Sequence, residues 1–232
     1  MAASANGRAG LAGRLLGSRR PATAAAERFA QAGRPTVRTP WRGAEWCALD
    51  LELTGLDPDH DHIIAVGMIP IVDGRLRLGR SLYTLVRSTR RSQLQALLTH
   101  RLRTADVAQA PSLPDALELV LETLAGRVPV FHTAAVERAF LSPHLRALNV
   151  SLPQAADTAG LARSLWRQRG EPVPPLGPSL GELVRRLGQR AEPAHHALGD
   201  AITTAQAFIT LASLLDAARP QTVGTLLTLS GP

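Results

Sequence analysis

The chain contains no lysine: all 26 of its basic residues are arginine, which reads as a compositional bias of the genome rather than as phosphate recognition. It has one cysteine, Cys47, in an apolar stretch. That excludes an intrachain disulfide and fits a small core residue in a reducing cytoplasm. Aromatic residues make up 3% of the sequence, and Trp41, Trp46, Trp166 and Tyr83 are the only tryptophans and tyrosine. So few platforms argue against sequence-specific stacking on unpaired bases. No apolar run approaches the ~18 residues of a membrane span. The longest, Ile63–Val72, fits strands better, so no membrane partner is expected.

What is present suffices for one folded domain with extensions: 232 residues, 45% hydrophobic and 19% charged. The net charge of +7 is not spread along the chain. Residues 1–42 hold eight arginines against Glu27, and the remaining 18 arginines and 18 acids cancel. The body is neutral as a whole, so basicity by itself carries no argument for nucleic-acid binding. Residues 1–42 are rich in Ala, Gly and Arg and interrupted by Pro21, Pro35 and Pro40. They read as a flexible or loosely docked extension with a short helix around Thr23–Gln31. An organellar transit peptide and a salt-sensitive tether to nucleic acid are the alternatives. Residues 43–218 read as the folded domain and 219–232 as a tail.

Within that domain, Trp46–Glu52, Ile63–Val72 and Leu76–Val86 have strand character, the last two joined by the turn dipeptide Asp73-Gly74. Short connections predict an antiparallel meander. Ser112 and Asp115 form a capping pair for a helix whose Leu117, Val120, Leu121 and Leu124 share a face. Val128–Phe131 is a short buried strand, and helices follow over Ala134–Leu148, Asp157–Arg169, from Ser179, and from about Leu198 to Leu215. Strands first in a meander, then strands crossing through helices, predict an α/β fold with a mixed sheet covered by helices.

Two constellations carry chemistry. In Asp50-Leu51-Glu52-Leu53-Thr54-Gly55, residues two apart on a strand point the same way, so Asp50 and Glu52 stand side by side. Among apolar neighbours such a pair repels and loses hydration unless a cation compensates, and hard oxygen ligands suit Mg²⁺ or Mn²⁺. Gly55 permits a turn and close approach of a ligand. The plainer reading is two solvated acids flanking a turn. In His195-His196-Ala197-Leu198-Gly199-Asp200, the acid falls in the first turn of the last helix, where the helix dipole already favours it. A closed structural zinc site is not supported, because one cysteine and no zinc-type histidine spacing accompany the pair.

Taken together, D-x-E-x-T-G on the first strand and H-x-A-x-x-D-A at the last helix resemble the DEDDh 3′→5′ exonucleases. The family includes the epsilon proofreading subunit of bacterial replicative polymerases. The resemblance covers roughly residues 44–215. His100, Asp106-Val107 with Ala110-Pro111, and Asp157-Thr158 with Leu161-Ala162-Arg163 match further motifs in order. It implies a ribonuclease H-like three-layer α/β/α fold on a mixed five-stranded sheet. It also implies release of nucleoside 5′-monophosphates from single-stranded DNA or RNA with two Mg²⁺ or Mn²⁺ ions. Asp50, Glu52 and Asp200 would be metal ligands, and His195 rather than His196 matches the general base. Thr54, Gly55, Leu56 and His132 fall at substrate-contacting positions.

The sequence departs from the family where the middle motif usually reads H-N-x-x-F-D. Here it is His132-Thr133-Ala134-Ala135-Val136-Glu137, and Glu137 is expected to take the fourth acid's place as catalytic and metal-binding carboxylate. Its plainer reading is a surface acid paired with Arg138 or Arg146. The same departure leaves open a binding or assembly subunit of a polymerase or repair complex with weak catalysis. A phosphohydrolase of small nucleotides is a third reading.

Overall fold

The computed structural model describes residues 20–175, 177–192 and 195–231; the first nineteen residues of the arginine-rich extension lie outside them. Helix α1 (Ala24–Gln31) is capped by Thr23, whose hydroxyl accepts from the Ala26 N–H at 3.2 Å. Its Ala25, Ala26 and Phe29 are buried. This part of the expected arm is folded onto the body rather than loose. The chain passes through buried Trp41 into β1 (Trp46–Leu53), and antiparallel β2 (Ile63–Val72) pairs along all of it. Asp73 and Gly74 both take positive φ in the tight turn that follows, as the dipeptide predicts.

The expected third strand is two strands, β3 (Arg75–Leu76) and β4 (Leu82–Leu85), separated by a 3₁₀ turn at Leu78–Arg80. The cause lies in β2. The Pro70 carbonyl accepts from the Arg77 N–H at 2.9 Å, but proline has no N–H to return on that edge. The ladder breaks there and resumes at Met68 opposite Leu82. The sheet therefore has six strands where five were expected.

Two short helices, α2 (Leu94–His100) and α3 (Thr104–Val107), occupy a stretch whose periodicity predicts no element. Helix α4 (Leu113–Leu124) starts at the predicted Ser112–Asp115 capping box and buries its predicted face. Strand β5 (Val128–Phe131) joins β1 in parallel, helix α5 (Ala135–Ala147) crosses over, and β6 (Ala156–Asp157) joins β5 in parallel. Helices α6 (Thr158–Gln168), α7 (Leu180–Arg186), α8 (Ala197–Ala218) and α9 (Val223–Leu229) complete the described chain. The strand order is β3-β2-β1-β5-β6, with β4 also on β2.

Alternation along β1 divides the core in two. Trp46 and Ala48 pack with Leu161, Leu183 and Phe208 on the side of α6, α7 and α8. Cys47, Leu49, Leu51 and Leu53 pack with Phe29, Leu121 and Phe140 on the side of α1, α4 and α5. This is the expected three-layer α/β/α arrangement. Asp50 and Glu52 continue the Trp46–Ala48 face, the one α8 covers. Contrary to the expectation that no apolar segment is long enough, helix α8 is long and apolar enough to cross a membrane. Here its Ala201, Ala205, Phe208 and Ala212 are core residues. Both expected domain edges fall inside packed structure: Trp41 is in the core, Pro40 bridges Thr222, and Val223 and Leu226 of α9 are buried.

Candidate active site

The strand period that sends Trp46 and Ala48 into the core sends Asp50 and Glu52 to the same face at the C-terminal end of β1. Helix α8 starts above them, and Asp200, in its first turn, completes a cluster. One carboxylate oxygen from each of Asp50, Glu52 and Asp200 lies within 4.8 Å of the others. A glycine makes this approach feasible. Gly67 pairs with Asp50 across β2, and a Cβ there would stand 2.1 Å from the Ala197 carbonyl carbon. Only a residue without a side chain lets the start of α8 rest on the sheet. Sequence reasoning passed over Gly67, because nothing local marks it.

All three acids are held above the usual carboxylate range. Burial raises Asp50, reinforced by the charges of Asp200, Glu137 and Glu52. Burial and Asp200 push Glu52 up to about 7. Burial raises Asp200, opposed by the hydrogen bond from the His195 N–H. In each case burial disfavours the ionised form, which a divalent cation among these carboxylates would favour. Glu52 Oε1 is buried with no hydrogen-bond partner among the described residues, an orphan acceptor that a divalent cation satisfies. The donor set, hard carboxylate oxygens within a few ångströms, fits Mg²⁺ or Mn²⁺.

The adjacent histidines separate into two jobs. His196 caps α8, its Nδ1 accepting from the Gly199 N–H at 3.4 Å, and its ring stacks on Tyr83 with centroids 4.5 Å apart. His195 has φ +65°, in the left-handed region, and its N–H donates to Asp200 Oδ2 at 2.8 Å. The residue is exposed, and its charge acts on Asp200.

A cleft of about 420 Å³ opens next to the acids, with Glu52, Gly55, Leu56, Gln93, His100 and Val136 in its walls. Gly55 and Leu56 line it. Thr54 is not a cleft residue. It is fully buried, its hydroxyl donates to Asp61 Oδ1 at 2.9 Å and accepts from the His62 N–H, and its carbonyl accepts from the Gln93 N–H at 2.7 Å. Thr54 therefore builds the loop that presents Gly55 and Leu56. Asp61, missed at the sequence level, holds that loop through Thr54, the Asp57 N–H and Gln93.

Glu137, in the first turn of α5, is buried, so the surface-acid reading fails. Burial, with the charge of Asp157, pushes it up to about 8, and its charge in turn raises Asp50. Its Oε2 has no partner among the described residues. Its charge reaches Asp50, but it stands outside the three-acid cluster. The His132 Nδ1 meets the Thr158 hydroxyl at 2.8 Å and its Nε2 the Pro178 carbonyl at 3.1 Å. Burial lowers its basicity, and the ring ties β5 to α6 and the loop before α7. Asp157 fixes the approach to Glu137, accepting from the Thr133 and Ala134 N–H groups while capping α6 through Ala159.

Comparison with known proteins agrees with this geometry. The RNase T-type exonuclease family model matches residues 47–208. A DNA polymerase III subunit epsilon-like protein of Rhodobacter capsulatus is 32% identical over 83% of the chain. A PolC-type DNA polymerase III of Thermotoga petrophila is 29% identical over 75% of it. The chain spans 27% and 12% of the length of these two relatives. Among solved structures, Exonuclease X in complex with 5′ overhanging duplex DNA aligns with a TM-score of 0.62 at 24% identity. That alignment covers 80% of this chain and 99% of that one. The nuclease domain of 3′hExo, a DEDDh family member bound to rAMP, aligns with a TM-score of 0.59 at 16% identity. It covers 77% of this chain and 95% of that one, and both structures share the fold.

Proposed function

Because this chain belongs to the RNase T-type exonuclease family, we propose that it removes nucleotides one at a time from the 3′ end of single-stranded DNA or RNA. The observation that carries this reading is the Asp50–Glu52–Asp200 cluster, with an orphan buried oxygen on Glu52, beside a cleft of nucleotide size.

Asp50, Glu52 and Asp200 would hold Mg²⁺ or Mn²⁺, and Glu137 would help to hold a second ion. Bound there, such cations would supply stabilisation of the charge that develops on the attacking and leaving oxygens. The chain's own residues do the rest. Gly55 and Leu56 bound the seat of the terminal nucleotide, while Thr54 and Asp61 keep that loop in place. The exposed His195 imidazole takes a proton from the water that attacks phosphorus. The bond to the 3′ oxygen of the preceding nucleotide breaks, and a nucleoside 5′-monophosphate leaves. The N–H of the same histidine on Asp200 ties the base to the acid cluster. The lone buried Cys47 suits a reducing cytoplasm.

A second reading has two observations in its favour. The family's usual middle motif is replaced around Glu137, and both named relatives are polymerase III proteins far longer than this chain. On that reading the chain is an assembly subunit of a replication or repair complex with weak catalysis.

The test uses 5′-labelled DNA and RNA oligomers with Mn²⁺, Mg²⁺ or EDTA, beside Asp50→Ala. A metal-dependent ladder shortening from the 3′ end, absent in the variant, is expected. Chelator-insensitive trimming would sink the metal mechanism. A folded protein that trims nothing would favour the assembly subunit.

A further inference from the structure

The neutral balance of residues 43–232 hides an uneven distribution. Between Asp73 and Asp106 the chain carries eight arginines and no acid, while the rest of this body holds ten arginines against eighteen acids. The sheet register sorts those eight. Strand β3 pairs with the end of β2 that lies opposite the start of β1. Arg75, Arg77 and Arg80 thus stand at the end of the sheet away from the carboxylates. Strand β4 runs from Leu82, beside Met68, to Leu85, beside Ala65, and Ala65 is the partner of Glu52. The chain leaves β4 at the carboxylate end, and Arg87, Arg90 and Arg91 follow there before α2. Arg101 and Arg103 come directly after it.

Helix α2 is one wall of the cleft, through Ala96, Thr99 and His100. At ~1.5 Å per residue it is roughly 10 Å long, so arginines at its two ends bracket that wall. All five are exposed. Arg90 lies 3.5 Å from Asp61, and Arg103 pairs with Asp106 at 2.9 Å. Arg87, Arg91 and Arg101 have no carboxylate partner among the described residues, and the backbone N–H groups of Arg87 and Arg101 donate to the Pro111 and Leu97 carbonyls. Three uncompensated guanidiniums around a helix without acids repel one another, and a polyanion relieves that repulsion. Their forked donors match phosphate oxygens.

We propose that Arg87, Arg91 and Arg101 hold the phosphates of the strand whose 3′ end sits in the cleft, upstream of the bond to be cut. This rests on the exonuclease reading and narrows its substrate class to strands of several nucleotides rather than dinucleotides. The test follows binding of dye-labelled dT20 by fluorescence anisotropy over a range of salt, with Ca²⁺ in place of Mg²⁺. The full chain is compared with R87S/R91S/R101S, whose melting temperature is checked to establish that it folds. Weaker binding is expected, with a log–log salt slope shallower by about 2, from ~0.7 per arginine on a single strand. The loss should shrink as the oligomer is cut to two nucleotides. R75S/R80S removes like charge at the far end of the sheet and should leave the slope as in the full chain. An unchanged slope in the triple variant overturns the surface and leaves those arginines to an acidic protein partner. An equal loss in R75S/R80S overturns it too, as diffuse attraction. Binding is read without turnover, so failure of the full chain to trim strands would count against the exonuclease reading alone.

Discussion

Glu137 and Glu52 sit in the folded protein well above an ordinary glutamate, at about 8 and about 7 against 4.5. In the unfolded chain both ionise near that ordinary value. From there up to their raised values, the metal-free folded state binds more protons than the unfolded one. Its stability therefore falls as pH rises through that window. A divalent cation favours the ionised carboxylates and acts against that loss where it is largest. The rise in Tm on adding Mn²⁺ should accordingly be larger at pH 8 than at pH 5.5, as read by differential scanning fluorimetry. Equal rises would mean that these two acids do not titrate with binding. At the same scale, Glu137→Gln should lower Mn²⁺-dependent turnover by about 10–100-fold, the usual cost of losing an outer carboxylate of a metal site. Unchanged turnover would return Glu137 to a structural role. Residue-level reading of the sequence worked where one period decides the geometry: Asp50 beside Glu52 follows from the strand alone. It did not show the partners of Thr54 and His132, because Asp61 and Thr158 lie 7 and 26 residues away and meet them only in the fold.

Elements bring the acids together, and Gly67 is the joint between two of them. Gly67→Ala puts a Cβ 2.1 Å from the backbone of Ala197, which is not a flexible side-chain end that can swing aside. The start of α8 must lift from β2, at a cost of about 1–3 kcal/mol. For a chain of this size that is a loss of roughly 2–4 °C in Tm per kcal/mol. The same movement carries Asp200 away from Asp50. The Mn²⁺-induced rise in Tm should therefore shrink along with activity, whereas a variant that is merely less stable keeps it. Other elements were legible to different degrees. The capping box at Ser112 and the Asp73-Gly74 turn are local chemistry, and both form as read. The break between β3 and β4 was written in Pro70, but its effect depends on which edge of β2 its missing N–H faces, and that is known only once the strands pair. Helices α2 and α3 are too short for their periodicity to stand out.

Across the molecule, the sheet separates what holds the fold together from what performs chemistry. Asp50, Glu52 and Asp200 meet on the α8 side, while α1 packs on the other side with the reverse face of β1. Charge counted over the whole chain concealed both the docking of residues 24–31 and the acid-free stretch around α2. An arginine-rich composition says nothing of Phe29, the residue that anchors α1, which is 1% exposed among Leu49, Leu121 and Leu124. Truncating a buried phenylalanine costs about 3–5 kcal/mol. Phe29→Ala should therefore lower Tm by many degrees, a far larger effect than expected for a residue in a loose arm. Because its cavity opens on the face away from the carboxylates, the rise in Tm on adding Mn²⁺ should persist in the variant at nearly its full size. A small drop in Tm would return α1 to the loosely docked extension. A large drop with the Mn²⁺ response abolished would mean that the two faces of the sheet are coupled through β1, so that the N-terminal segment helps to set the geometry of the acids.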